Sequence, residues 1–403
     1  MIRIALRNVL RQKMRTAMTL AAIVCGVAGL IIGSGWVKDI FLQLGEALIH
    51  SQSGHLQVFK SGFYAAGSRS PEKFLIPEPE RFKQSIEGFD GVEDVTARLY
   101  FSGLLNNGRS DVPILAEGVE PDKETKLGSS VVVMKGRRLA DGDAFGIEVG
   151  RGVAQALKLD PGDRVTILAN TLEGALNSLD FEVIGVFQSF SNDYDTRAVK
   201  MPLSAARELL GTSAANALVV SLKKTDDTER AASWMRQRLE PTGMEVKTWV
   251  ELNDFYEKTV DLYKRQFGVL QLIILVMVLL SVANSVNMSV LERVGEFGTM
   301  MALGNRSRQV FGMIVTESVV LALLGGCLGV AIGIMLAFAI SAVGIPMPPP
   351  PNADVGYTAR IQITLAATLM AFAIGFIATV LASILPARRV TSTPVVDALR
   401  QNI

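Results

Sequence analysis

Few side chains in this sequence are of a type and spacing that do catalytic chemistry. It has only two histidines, His50 and His55, and neither sits in a metal-ligand pattern. That removes many hydrolase and metalloenzyme readings. The two cysteines, Cys25 and Cys327, both fall inside apolar runs, so no disulfide framework is legible and both read as small packing residues. Val24 stands where a lipoprotein signal at Cys25 would need a small residue. No G-x-x-x-x-G-K-[ST] stretch occurs. A phosphate cradle needs that glycine-rich turn and its lysine to hold ATP, so nucleotide hydrolysis is not expected of this chain. Glu317 is the one acid inside a long apolar stretch. A lone acid about two turns from a helix start is poor material for a proton relay; snorkelling to the surface or capping a partner group suits it better. No catalytic residue and no metal ligand is therefore expected.

What remains is the chemistry of docking and close packing. The segment Glu292-Arg293-Val294-Gly295-Glu296-Phe297-Gly298-Thr299-Met300-Met301-Ala302-Leu303-Gly304-Asn305-Arg306 joins two apolar stretches. Met300, Met301 and Leu303 are apolar residues in a short loop, which favours a partner that covers them, and flexible methionines suit a protein-docking surface. A short helix stopped at Gly304 could slot into a groove on a cytoplasmic ATPase; a loop resting on the membrane is the alternative. Gly325, Gly329 and Gly333 form a G-x-x-x-G-x-x-x-G ladder, and Gly29 and Gly33 form a single step. Residues four apart share a helix face, and missing side chains let backbones approach. Asn284 and Asn287 are expected to find hydrogen-bond partners in a helix bundle.

These residues need membrane spans to position them. The 403 residues are 49% hydrophobic and 20% charged, with a net charge of +1 and a mean hydropathy of +0.33. Such a mixture implies spans plus a sizeable water-facing domain. Four stretches, 16–37, 266–291, 309–343 and 361–387, each exceed the roughly 20 residues needed to cross about 30 Å of hydrocarbon. Arg3, Arg7, Arg11, Lys13 and Arg15 precede the first; Arg293, Arg306 and Arg308 lie between the second and third; Arg388, Arg389 and Arg400 follow the fourth. Positive charge marks the cytoplasmic side, so both termini and the 292–308 segment are expected there. Residues 1–15 read either as an amphipathic helix on the membrane surface or as a plain topology signal. The first span is too long and too poorly followed (Trp36-Val37-Lys38) for a cleaved signal peptide.

Residues 38–265 read as a large α+β domain on the far side. Strands are expected at Leu56–Phe59, Val131–Met134, Arg164–Ala169, Phe181–Phe187 and Leu218–Leu222, and helices at Glu148–Leu157, Leu203–Leu210, Thr228–Leu239 and Leu252–Tyr263. Pro202 suits a helix start and Gly211 a stop. The last helix is expected to run into the second span as a stiff rod. Residues 344–360 carry the proline cluster Pro346 to Pro351, read as an extended connector, and 388–403 as a cytoplasmic tail.

The motifs resemble the FtsX/MacB-type permeases of ATP-binding-cassette (ABC) transporters. The resemblance rests on Glu292-Arg293, Glu296-Phe297-Gly298, Ala302-Leu303-Gly304, Arg306 to Gln309 and Glu317-Ser318, on the ending Pro386-Ala387-Arg388-Arg389 with Pro394 to Arg400, and on the start Ala5 to Arg11. The outer domain is similar to the lipoprotein-release (LolC/LolE-like) branch at Gly54 to Val58, Gly118 to Pro121, Gly136 to Leu139, Leu159 to Asp163 and Phe181 to Phe187. The resemblance implies an α-helical membrane protein with one plus three transmembrane helices and an α+β extracytoplasmic domain of the MacB-like periplasmic core type. It implies two permeases paired with two cytoplasmic ATPase subunits that hold the ATP and magnesium, with docking through Glu292 to Gly304. It also implies an inner-membrane location and mechanotransmission, in which motion in the membrane is passed to the outer domain and acts on a hydrophobic cargo such as a lipoprotein or lipid. A regulator of a periplasmic enzyme, and an export permease for peptides or small molecules with an outer-membrane partner, are the alternatives.

Overall fold

The computed structural model describes residues 13–66, 71–189, 191–348 and 356–392. The chain divides into a helical unit, Met1–Leu42, Thr259–Met347 and Thr358–Ile403, and a β-rich unit, Gln43–Lys258 with Pro348–Tyr357. The first helix, α1 (Lys13–Leu48), outruns the expected span by eleven residues, and its last six belong to the β-rich unit. The surface helix expected over 1–15 lies outside the described residues except for 13–15, which are part of α1.

The β-rich unit follows. Its strands are β1 (Leu56–Lys60), β2 (Val92–Asn106), β3 (Asp111–Val119), β4 (Val132–Gly136), β5 (Gly146–Gly150), β6 (Arg164–Asn170), β7 (Leu176–Gln188), β8 (Ala198–Pro202), β9 (Ala217–Leu222) and β10 (Met244–Thr248). Between them lie α2 (Pro79–Glu87), α3 (Pro121–Leu127), α4 (Arg151–Leu157), α5 (Leu203–Leu210) and α6 (Thr228–Leu239). The sheet has the order β10-β1-β9-β2-β3-β8-β5-β7-β4, with β6 pairing both β2 and β7. Those last pairings close a ring, β2-β3-β8-β5-β7-β6 and back to β2. One half of the long β2 pairs β9 in the open part of the sheet, and its far end pairs β6 in the ring.

Strand alternation explains both the ring and its core. Leu99, Phe101, Leu105, Ile114, Ala116, Ile147, Val149, Val165, Ile167, Phe181, Val183, Val199 and Met201 point inward and are buried. Each such side chain contributes roughly 1.5–3 kcal/mol of burial. The helix expected over Glu148–Leu157 begins only at Arg151; Glu148 to Gly150 are strand. Ile147 and Val149 fill the ring while Glu148 points out, and that two-residue period overrides the helix-favouring composition.

In the helical unit, α7 (Asp254–Glu292), α8 (Val294–Ala302), α9 (Ser307–Val343) and α10 (Leu365–Thr391) complete the chain. α1, α7, α9 and α10 are each long and apolar enough to cross a membrane. α7 is unbroken from Asp254, two residues after the expected start at Leu252. α10 begins four residues later than expected, where Thr364 caps it by accepting from Ala367 N, and it continues through Pro386 so that Arg388 and Arg389 lie in its last turn. Residues 393–403 of the expected tail are outside the described set. Of the proline-rich connector, Ile345–Met347 is extended and pairs with Tyr357–Ala359; residues 349–355 are outside the described set.

Candidate functional site: the junction between the second and third spans

The glycine ladder fixes how closely α9 packs beside α1. A Cβ on Gly325 would sit 2.9 Å from Ile23, one on Gly329 2.8 Å from Val27, and one on Gly333 3.1 Å from the Cα of Ala28. The ladder therefore seats α9 directly on α1, within one chain, as small residues allow. Gly33 meets only Phe267, at 3.4 Å, and Gly29 meets nothing within 4 Å. Gly29 therefore makes no close helix contact within the chain among the described residues. Gly326 and Gly375 close the same bundle against Phe372 and Val27, and a G-x-x-x-G search finds neither.

The Glu292–Gly304 segment forms a folded corner. Arg293 sits at the break between α7 and α8. Its Nε donates to Glu296 Oε2 at 3.0 Å and its Nη1 to Glu317 Oε2 at 3.1 Å. The guanidinium also lies 5.1 Å from the centre of the Phe297 ring. The Arg293 and Glu317 side chains are only 12% and 16% exposed. Arg293 and Glu296, three residues apart, are thus joined by Glu317 from 24 residues away in one ion cluster, and Glu317 ties α9 to the α7–α8 break. Next to it Thr19 and Ser285 hydrogen-bond across α1 and α7.

The corner's residues divide between core and surface. Phe297 is 1% exposed and joins Val294 and Val310 in the helical core, while Gly295 and Gly298 are buried with it. Met300 and Met301 are half-buried against that core, which corrects the expectation of a bare methionine tip. The apolar face of an amphipathic nine-residue helix takes them inward. Leu303 is 82% exposed, beside exposed Ala302 and Gly304, and Glu292, Glu296 and Thr299 are exposed on the same helical corner. Gly304 adopts a φ of +98°, which turns the chain out of α8. α9 then opens with Arg306 N donating to Gln309 Oε1 at 2.9 Å. Among the described residues no cluster of three metal-ligating side chains occurs. The corner ties α8 to both neighbouring spans and leaves Leu303 exposed.

Asn284 is exposed on α7, and neither it nor Asn287 makes a side-chain hydrogen bond among the described residues. The expectation of partners inside the bundle fails because α7 packs through Val278, Val282, Val286 and Val290, on its opposite side. Asn284 belongs instead to an exposed stripe with Leu270, Ile273, Met277, Leu280 and Leu291.

Residues 16–238 match the MacB-like periplasmic core domain, and residues 268–395 match the FtsX-like permease C-terminal family. The chain belongs to the MacB/FtsX-type permeases. It is an ABC transporter permease, and the corner just described lies inside the matched FtsX-like segment. Among similar proteins is the uncharacterized ABC transporter permease MJ1507 of Methanocaldococcus jannaschii, 23% identical, with 86% of each chain covered. Another is the macrolide export ATP-binding/permease protein MacB of Rhodopseudomonas palustris, 25% identical over 86% of this chain. This chain spans only 53% of that MacB, about half its length. The periplasmic region of MacB from Actinobacillus actinomycetemcomitans is similar to 53% of this chain, at 15% identity and a TM-score of 0.38, over 95% of its own length. The MacB/FtsX-type permease described here thus joins four membrane-length helices to a large α/β unit.

Proposed function

We propose that this permease is driven by a separate cytoplasmic ATPase that docks on the α8 corner, and that it works by mechanotransmission on a hydrophobic cargo such as a lipoprotein or lipid. The observation that carries this reading is the cluster of Arg293, Glu296 and Glu317, which fixes α8 against α7 and α9 while Leu303 stands 82% exposed beside it. A push on such a corner is delivered to two spans at once. α7 is also one continuous helix over Asp254–Glu292, a stiff element suited to carry motion away from the corner. The chain itself carries no P-loop, so ATP and magnesium belong to the partner in this reading, and the chain is not itself an enzyme.

In the same reading both termini and α8 face the cytoplasm, the protein lies in the inner membrane, and the β-rich unit is periplasmic. A second permease chain covers the α7 stripe, because an amide facing hydrocarbon is costly unless another helix bonds it. The test is ATP turnover of the permease co-purified with its ATPase from membranes. Leu303→Glu should insert and fold yet lose the associated ATPase; a normal complex with normal turnover overturns the docking assignment. For the cargo, depletion should leave lipoproteins or lipids accumulating in the inner membrane, and an unchanged distribution of every such class rejects it. The relatives named for macrolide export favour a second reading, small-molecule export, in which deletion raises drug sensitivity while lipoprotein distribution stays normal.

A further inference from the structure

The β-rich unit contains a cavity of about 580 Å³, within the size range of small-molecule sites. One wall is a run of three rings. Phe59 stacks on Phe63 with centroids 4.8 Å apart, and Phe63 on Tyr100 at 6.3 Å. The cavity is also lined by Glu117 and Tyr194. Glu117 is only 5% exposed. Its Oε2 and the Tyr194 hydroxyl are both buried; they interact with each other, and neither makes a well-aligned hydrogen bond. A buried carboxylate bonded so weakly is costly to the fold.

Arg98 attracts Glu117, but the neighbouring cations are bonded elsewhere, and Glu117 makes no ion pair of its own among the described residues. It stands in a cross-strand row with Tyr100 and Lys200, but Lys200 bonds Glu124 at 2.7 Å. Arg98 likewise bonds Glu124, through Nη2 at 2.9 Å to both oxygens. Among the described residues no cation lies within ion-pair distance of Glu117. The cavity thus sets a buried carboxylate with no cation at ion-pair distance beside a wall of three aromatic rings, a combination suited to an ammonium group.

We propose that this cavity binds an organic cation: an apolar or aromatic body carrying a protonated primary amine, the ammonium donating to Glu117 and the body lying against the Phe59–Phe63–Tyr100 stack. The proposal concerns binding alone and does not depend on the transport reading, whose test is ATPase association. A suitable probe is dansylcadaverine, an aromatic primary ammonium, compared with its neutral N-acetylated form. Fluorescence anisotropy is read on the full-length protein in nanodiscs, with empty nanodiscs as blank. Saturable binding of dansylcadaverine is expected, at least tenfold weaker for the acetylated probe. Glu117→Gln should remove most of that preference, and Tyr194→Phe, which keeps the ring, should weaken the ammonium probe more than the acetylated one. Should Glu117→Gln fail to fold, the probe pair on the unmodified protein and Tyr194→Phe decide the matter. Absence of saturable binding, equal affinity for the two probes, or an unchanged preference in Glu117→Gln would each overturn the proposal and leave the cavity as a water-filled one.

Discussion

Replacing Glu124 by glutamine should cost the β-rich unit about 3–5 kcal/mol at pH 7, the penalty of breaking a buried ion pair by removing one partner. Glu124, on α3, holds two buried cations, Arg98 at 0% and Lys200 at 4% side-chain exposure. Arg98 also donates from Nη1 to the Gln52 carbonyl at 2.5 Å and interacts with Tyr100. A second route to the magnitude agrees. Burial pushes the Glu124 carboxyl up, but the attraction of Arg98 and Lys200 outweighs it and holds the group at about 2, against 4.5 unfolded. That difference is worth about 3 kcal/mol. A depressed carboxylate stabilises above its unfolded value and loses that stability as pH falls toward the folded one. The gap between the native protein and Glu124→Gln should therefore shrink by about 2 kcal/mol between pH 7 and pH 3. Trp234 and Trp249 lie in the β-rich unit and Trp36 in the helical one. Urea unfolding of full-length Trp36→Phe protein in detergent, followed by tryptophan fluorescence, thus reads the right unit. A loss below about 1 kcal/mol, or a gap that does not change with pH, would refute the reasoning.

Two other perturbations test separate parts of the fold. His55 is held at about 4 by burial and by neighbouring His50, against an upward pull from Glu46, and its Nδ1 accepts from Leu222 N at 3.1 Å. Because the folded value lies below 6.5, stability is full above that pH and falls as pH drops toward 4. Hydrogen exchange at the Leu222 amide should speed up on going from pH 7 to 5 by an amount equivalent to about 2 kcal/mol, beyond the intrinsic pH effect, and His55→Asn should abolish that excess. In the helical unit, Gly329→Val should lower stability by about 1–3 kcal/mol, because the new Cβ would lie 2.8 Å from Val27 and 3.3 Å from the Cα of Val24. Gly29→Ala, with nothing within 4 Å, should stay within about 0.5 kcal/mol; equal melting shifts for the two would show that the ladder does not set the α1–α9 distance.

The spans and the α8 corner were legible because their signals are local. Twenty apolar residues, a glycine every fourth position and a fixed motif can be read without knowing what lies opposite. Leu203–Leu210 and Thr228–Leu239 fall at their expected bounds for the same reason: proline and glycine mark one and a charged face marks the other. The buried charge row was not legible. Nothing in the segments around Arg98 and Lys200 says that Glu124, 26 and 76 residues away, will cover them. The one available clue was alternation in β2, where Val95, Ala97, Leu99 and Phe101 face the core and Thr96, Arg98, Tyr100 and Ser102 face away. Alternation identifies two faces but not which of them a later helix will bury. The same limit explains Met300 and Asn284. Met300 was expected at a docking tip and Asn284 inside the bundle, yet only packing decides direction: α8 turns Met300 toward the core, while the valines of α7 claim the bundle side and leave Asn284 outside. Residue type fixes what a side chain is able to bond, and the facing element fixes whether it does. Among the described residues Glu117, which makes no ion pair, and Asn284, which makes no side-chain hydrogen bond, are therefore where an additional binding partner is best sought.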